Sequence, residues 1–135
     1  MNDRERGLWL VRKEVKEWAK AGWIVQPPLY RPQWIGTRMV PVHTDFFGRY
    51  DFMAAWPKHH LMVLVQVSAE TEGGHAGPGP MGFCSDAYSD GVDVTEGLMA
   101  HPENFLHCVL EVYVYYRKLK PRNAWTADRR WWRKE

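Results

Sequence analysis

The run Leu61-Met62-Val63-Leu64-Val65-Gln66-Val67 constrains this chain more than any other segment. A nearly continuous apolar run of this length reads as a strand covered on both faces. It is far short of the roughly 20 residues that span a bilayer. A second segment, Leu106 to Tyr116, alternates instead: Leu106, Cys108, Leu110, Val112 and Val114 interleave with His107, Val109, Glu111, Tyr113 and Tyr115. That is the period-two signature of a strand. Two such strands need a second layer to cover them. The fold class that follows is α/β (α+β), a mixed β-sheet flanked by helices.

The covering layer is legible at the N-terminus. Residues 3–21 read as an amphipathic helix, with Leu8, Val11, Val15 and Trp18 on the buried stripe. Asn2 is placed to cap it, Glu5 takes the capping-box position, and Gly22 supplies the stop. Arg12, Lys13, Lys16, Glu17 and Lys20 fall on the solvent face. Trp23 to Gln26 is a short strand ended by Pro27-Pro28, and the proline-rich residues 27–34 read as a loop. Thr37 to His43 reads as an irregular edge strand, because Pro41 cannot donate to a ladder. Tyr50 to Trp56 then forms a hairpin with Leu61 to Val67. Thr95 to His101 reads as a short helix capped by Thr95. The whole chain, 1–135, fits one domain, with an acidic Gly/Pro-rich excursion over 69–104 and a basic aromatic tail over 117–135.

The net charge of +2 conceals a partition. Residues 1–58 hold ten Lys/Arg and six Asp/Glu. Residues 59–116 hold eight acids and no Lys or Arg, and residues 117–135 hold eight bases and two acids. Opposed patches of this kind bear on the choice of partner. Cys84 and Cys108 are too few for a disulfide framework and too far apart for a metal finger. The N-terminus is charged rather than an apolar leader, so the expected compartment is the cytoplasm, with no membrane partner.

The segment Thr44-Asp45-Phe46-Phe47-Gly48-Arg49-Tyr50-Asp51-Phe52-Met53-Ala54-Ala55-Trp56, followed by Leu64-Val65-Gln66-Val67-Ser68, resembles the core of the PD-(D/E)xK nuclease superfamily. The likeness is strongest to small Holliday-junction-resolvase-like proteins of phages and bacteria. An acid-bearing helix precedes that core, as Glu5 and Glu14 do here, and Tyr115-Tyr116-Arg117-Lys118 resembles its following strand end. The resemblance implies a restriction-endonuclease-like core. It also implies two acids holding Mg²⁺, which activates water against a phosphodiester. A lysine two residues beyond the second acid would face the same site.

Carried over by position, Asp51 falls on the first acid, Gln66 on the second and Ser68 on the lysine. Gln66 brings no charge and Ser68 no ammonium, so these catalytic positions are degenerate. If the site were active, Asp51, Glu70 and Glu14 would hold Mg²⁺, and otherwise no cofactor is expected. Asp45 is a further ligand or a turn residue. Asp51 also reads as a strand-end carboxylate hydrogen-bonded to backbone.

Candidate binding residues lie in the acidic excursion (Glu70, Glu72, Asp86, Asp90, Asp93) and in the tail (Arg117, Lys118, Arg129, Arg130, Trp131, Trp132). Bases interleaved with aromatics suit nucleic acid, protein hot spots, or packing on the domain. Two readings follow. One is a catalytically degenerate nuclease-fold protein acting as a binding or regulatory factor. Its partner would be a protein with a basic surface, with host RNA polymerase or its sigma factor as one class, as for a phage protein that alters transcription. The other is an active Mg²⁺-dependent DNA endonuclease or junction resolvase that holds DNA with the tail.

Overall fold

The computed structural model describes residues 3–47, 49–69, 92–119 and 124–131. Helix α1 spans Asp3–Lys20. Strands follow at Ile24–Gln26 (β1), Leu29–Ile35 (β2), Arg38–Thr44 (β3), Phe52–Trp56 (β4) and Leu61–Ala69 (β5). Val92–Asp93 (β6), Val109–Leu119 (β7) and Ala124–Trp131 (β8) complete them. Six strands form one mixed sheet in the order β1-β4-β5-β7-β8-β6, while β2 and β3 pair only with each other. Within the large sheet β5 and β7 run parallel and the other pairs antiparallel. A parallel pair demands a long crossover, and residues 70–108 provide it.

Strand alternation gives the sheet two unlike faces. On one, Phe52, Val65, Val112 and Trp131 form a continuous row across four strands. Leu61, Val63, Val65, Val112 and Val114 are buried there, under α1. Each such side chain contributes about 1.5–3 kcal/mol on burial. The helix buries Leu10, Val11, Glu14 and Trp18 rather than a stripe running through Leu8. The other face of β5 is only partly covered. Met62 is exposed and Leu64 half-buried, so the expectation of a strand covered on both faces holds for one face. Among the described residues α1 is the sole α-helix.

A chain of tryptophans fixes the helix end to the sheet. Trp18 meets Trp23 edge-on at 5.0 Å, and Trp23 meets Trp56 at 5.4 Å. Gly22 turns the chain between them at φ +101°, and a Cβ there would come within 3.2 Å of the Trp56 ring. The stop therefore needs glycine for conformation and for room.

Three expectations are corrected. Residues 27–34 are mostly strand, not loop. Pro32 pairs with Pro41 across the β2–β3 ribbon, and two prolines can oppose each other where an antiparallel ladder asks neither amide to donate. The segment Thr95–Met99 is a π-helical turn with Val94, not Thr95, at its cap position. Val94 and Leu98 are fully buried, so the last part of the expected excursion belongs to the core. Within the expected tail, residues 117–119 end β7 and Ala124–Trp131 is β8, paired along β7, so of the three readings of the tail, packing on the domain holds for this part.

Candidate functional site

The chain reaches β4 through a tight turn in which Phe46 and Tyr50 exchange backbone hydrogen bonds at 2.7 and 2.9 Å. Asp51 follows at the strand end. Its amide donates to the Val65 carbonyl, and its Oδ2 accepts the Val67 amide, both at 2.8 Å. The carboxylate thus continues the β4–β5 ladder one step past the last paired residue. Asp51 and Gln66 are both buried, each 8% exposed. With its amide nitrogen turned toward this pair, Gln66 donates to Asp51 Oδ2 at 3.3 Å and to the Arg49 carbonyl. Ser68 Oγ donates to the Val114 carbonyl at 3.4 Å.

The Asp51 carboxyl is pushed up to about 7. Burial is the main cause. The Val67 amide opposes it, and the nearby Asp45 charge adds to it. The three positions that the nuclease resemblance singles out are therefore neighbours. They carry one proton-hungry carboxyl, one neutral amide and one hydroxyl.

The same sheet face holds a cluster that the sequence did not single out. Glu111 accepts from Tyr50 Oη through one oxygen and from Tyr113 Oη at 3.3 Å through the other. Tyr113 lies beside Gln66 on one side and Arg130 on the other. Tyr115 lies beside Ser68 and Asp128, and Arg130 Nε is 3.5 Å from Asp128 Oδ1. The available signal was the i, i+2 spacing of Glu111, Tyr113 and Tyr115, which places all three on one face.

Glu14 is elsewhere. It is fully buried under α1 against the opposite face. Arg129 Nε and Nη2 donate to its two oxygens at 2.5 and 2.6 Å. Tyr116 Oη donates at 2.7 Å and Trp18 Nε1 at 3.2 Å. Burial and the Glu14 charge raise the Tyr116 phenol, which keeps it a donor. Burial pulls the Arg129 guanidinium down, but the Glu14 hydrogen bonds and charge outweigh it and the net direction is up.

A joint metal role for Glu14 and Asp51 is therefore corrected. The sheet stands between them, and the Glu14 oxygens are already satisfied. Among the described residues, no three His, Cys, Asp or Glu side chains form a group that could hold a metal ion. The described residues around Asp51 fit Mg²⁺ poorly: Asp51 Oδ2 already accepts the Val67 amide, and Gln66 brings no charge.

The expected binding residues divide. Glu70, Glu72, Asp86, Asp90 and Trp132 lie outside the described residues. Asp93 is exposed on β6, opposite Arg130 of β8. Arg117 and Lys118 are exposed near the end of β7, and Lys118 Nζ lies 5.1 Å from the Trp125 ring centre. Two tail residues are corrected. Arg129 is spent on Glu14, and Trp131 is buried edge-on against Phe105 at 5.3 Å. Period-two alternation of Trp125, Ala127, Arg129 and Trp131 was the signal that β8 packs.

Among the described residues no helix is long and apolar enough to cross a membrane. Compared with protein-family models, curated proteins and solved structures, the chain matches none.

Proposed function

We propose that this chain is a non-catalytic binding or regulatory factor, built on a mixed sheet of the kind that resolvase-like PD-(D/E)xK nucleases use. One observation carries the reading. The Asp51, Gln66 and Ser68 side chains, at the positions where cleavage would need acids and a lysine, are turned to hydrogen bonds within the sheet. A protein with a basic surface is the partner that suits the eight acids and no Lys or Arg of residues 59–116. Host transcription machinery in the cytoplasm is the class of partner to test first.

A single observation favours the alternative, a Mg²⁺-dependent endonuclease or junction resolvase. The Asp51 carboxyl is raised partly by Asp45, and a divalent cation would relieve that repulsion. Branched and linear DNA incubated with the chain and Mg²⁺ or Mn²⁺ separates the two. The expected result is intact DNA and no heat of metal binding, with capture of a basic host protein that survives nuclease treatment of the extract. Cleavage that disappears in Asp51→Ala would overturn the proposal.

A further inference from the structure

Two apolar surfaces of this chain face water. The first is the β2–β3 ribbon, whose strands pair only with each other and whose β2 is exposed throughout. Cross-strand register puts Tyr30, Pro32, Trp34, Met39 and Pro41 on one face, and Arg31, Gln33 and Arg38 on the other. Trp34 is 67% exposed, and Tyr30 and Met39 are exposed beside it. A two-stranded ribbon is marginal alone in water and gains its order from a surface packed on it. Pro32 and Pro41 leave its edges short of outward amides, so that packing must use a side-chain face.

The second surface is a row across the large sheet. Ile24 opposes Ala55, Ala55 opposes Met62, and Met62 lies beside Val109, so the four share one face of four strands. Ile24 is 64% and Val109 67% exposed, and Met62 is exposed between them. Helix α1 packs on the opposite face. The row includes the parallel β5–β7 pair, and parallel strands are ordinarily covered on both faces.

The two surfaces match in size and chemistry. Tyr30 and Trp34 lie about 13 Å apart along β2, and three inter-strand steps carry the row from Ile24 to Val109 over about 14 Å. A ribbon laid across the strands sets one ring near each end, with the Met62 thioether between them, a soft group that packs well on aromatic rings. None of these side chains is charged, so burying them strands no ion. Arg31 and Arg38 stay on the far face. At longer range the charges attract. No Asp or Glu occurs between Glu17 and Asp45, and no Lys or Arg between residues 59 and 116, so a base-bearing ribbon approaches an acid-bearing segment.

One chain carries both surfaces, and the area argues for a reciprocal contact. A ribbon of seven residues per strand covers roughly 23 by 10 Å. One such contact removes roughly 450 Å² from water, counted on both molecules in flat projection, which is in the range of chance contacts. Two contacts related by a two-fold axis double it to roughly 900 Å², close to the 1,000 Å² or so of a specific interface. We propose that two copies of this chain exchange ribbons across a two-fold axis, each laying its Tyr30 and Trp34 face on the Ile24, Met62 and Val109 row of the other. The interface is independent of Asp51 and would serve a binding factor or a nuclease equally.

Sedimentation velocity over a concentration series tests it. The expected result is a monomer–dimer equilibrium with the dimer dominant below about 0.5 mM. Trp34→Arg and Met62→Glu should each weaken association at least about tenfold. An equimolar mixture of the two variants should recover the dimer, because it forms one wild-type contact and one that pairs arginine with glutamate. Both sites face water, so the urea midpoints of the dilute variants should equal the parent's. A monomer throughout the series, a dimer that either variant leaves intact, or a mixture no better associated than its components overturns the proposal.

Discussion

The buried Glu14–Arg129 pair offers the sharpest test of the packing. Glu14 has no exposed surface, the Arg129 side chain is 15% exposed, and two short hydrogen bonds join them. Replacing Glu14 by Gln keeps the shape and an acceptor for Tyr116 or Trp18 but leaves the guanidinium without its counter-charge. Removing one member of a buried pair costs about 3–5 kcal/mol. The lower end applies here, about 3 kcal/mol, because Arg129 retains some contact with water. In a chain of this size that is a fall in Tm of about 10 °C. Arg129→Met should cost a similar amount at neutral pH. The double variant Glu14→Gln with Arg129→Met buries no charge, so its loss should be smaller than the sum by at least about 2 kcal/mol. Urea unfolding followed by tryptophan fluorescence reads all four proteins. Additivity within about 0.5 kcal/mol, or a Glu14→Gln loss below about 1 kcal/mol, would refute the structural role. Mg²⁺-dependent stabilisation that vanishes in Glu14→Gln would refute it from the other side.

Two further outcomes follow from the same geometry. The folded-state carboxyl of Asp51, at about 7, lies above its ordinary value of 3.8. The folded chain then holds a proton that the unfolded chain releases, so stability falls as pH rises from about 4 to 7 and levels off above. The loss is on the order of 4 kcal/mol, and Asp51→Asn should remove it, leaving the variant more stable than the parent at pH 8. An unchanged pH dependence of the urea midpoint in Asp51→Asn would sink the assignment. Gly22→Ala meets both a positive φ and the Trp56 ring, and should lower stability by roughly 1–2 kcal/mol in the same assay. A neutral result would mean that the helix end and Trp56 can separate freely.

The sheet was legible where one physical demand dominated. The apolar run of β5 and the alternation of β7 admit few alternatives, and both lie side by side in the centre of the sheet. The β2–β3 ribbon was half missed because proline was weighed as a breaker along one strand. Its real constraint is across strands, where Pro32 meets Pro41 and neither is asked for an amide hydrogen. Glu14, carried over as a metal ligand, was missed as the partner of a buried arginine. Its partner Arg129 lies 115 residues away, and a long-range pair leaves no mark in local periodicity. Glu111 was passed over because a single acid in an alternating strand looks like its wet face, whereas Tyr50 and Tyr113 both close on it.

The partition of charge along the sequence changes meaning once β8 is seen beside β7. Strand β8 brings Arg129 against an acid of the first segment and Arg130 opposite Asp93 of the middle one. Basic and acidic blocks that look like opposed surfaces in sequence thus interleave in space, and part of the tail's charge is consumed in holding the sheet together. Among the described residues of the tail, what remains for a partner is smaller. Arg117 and Lys118 stay exposed near the end of β7. The arginines of the ribbon face water with aromatic rings behind them and no acid within the ribbon. If Arg117→Ala with Lys118→Ala abolishes oligonucleotide binding at low salt, the expectation that the tail serves nucleic acid survives in these two residues, and unchanged binding removes it.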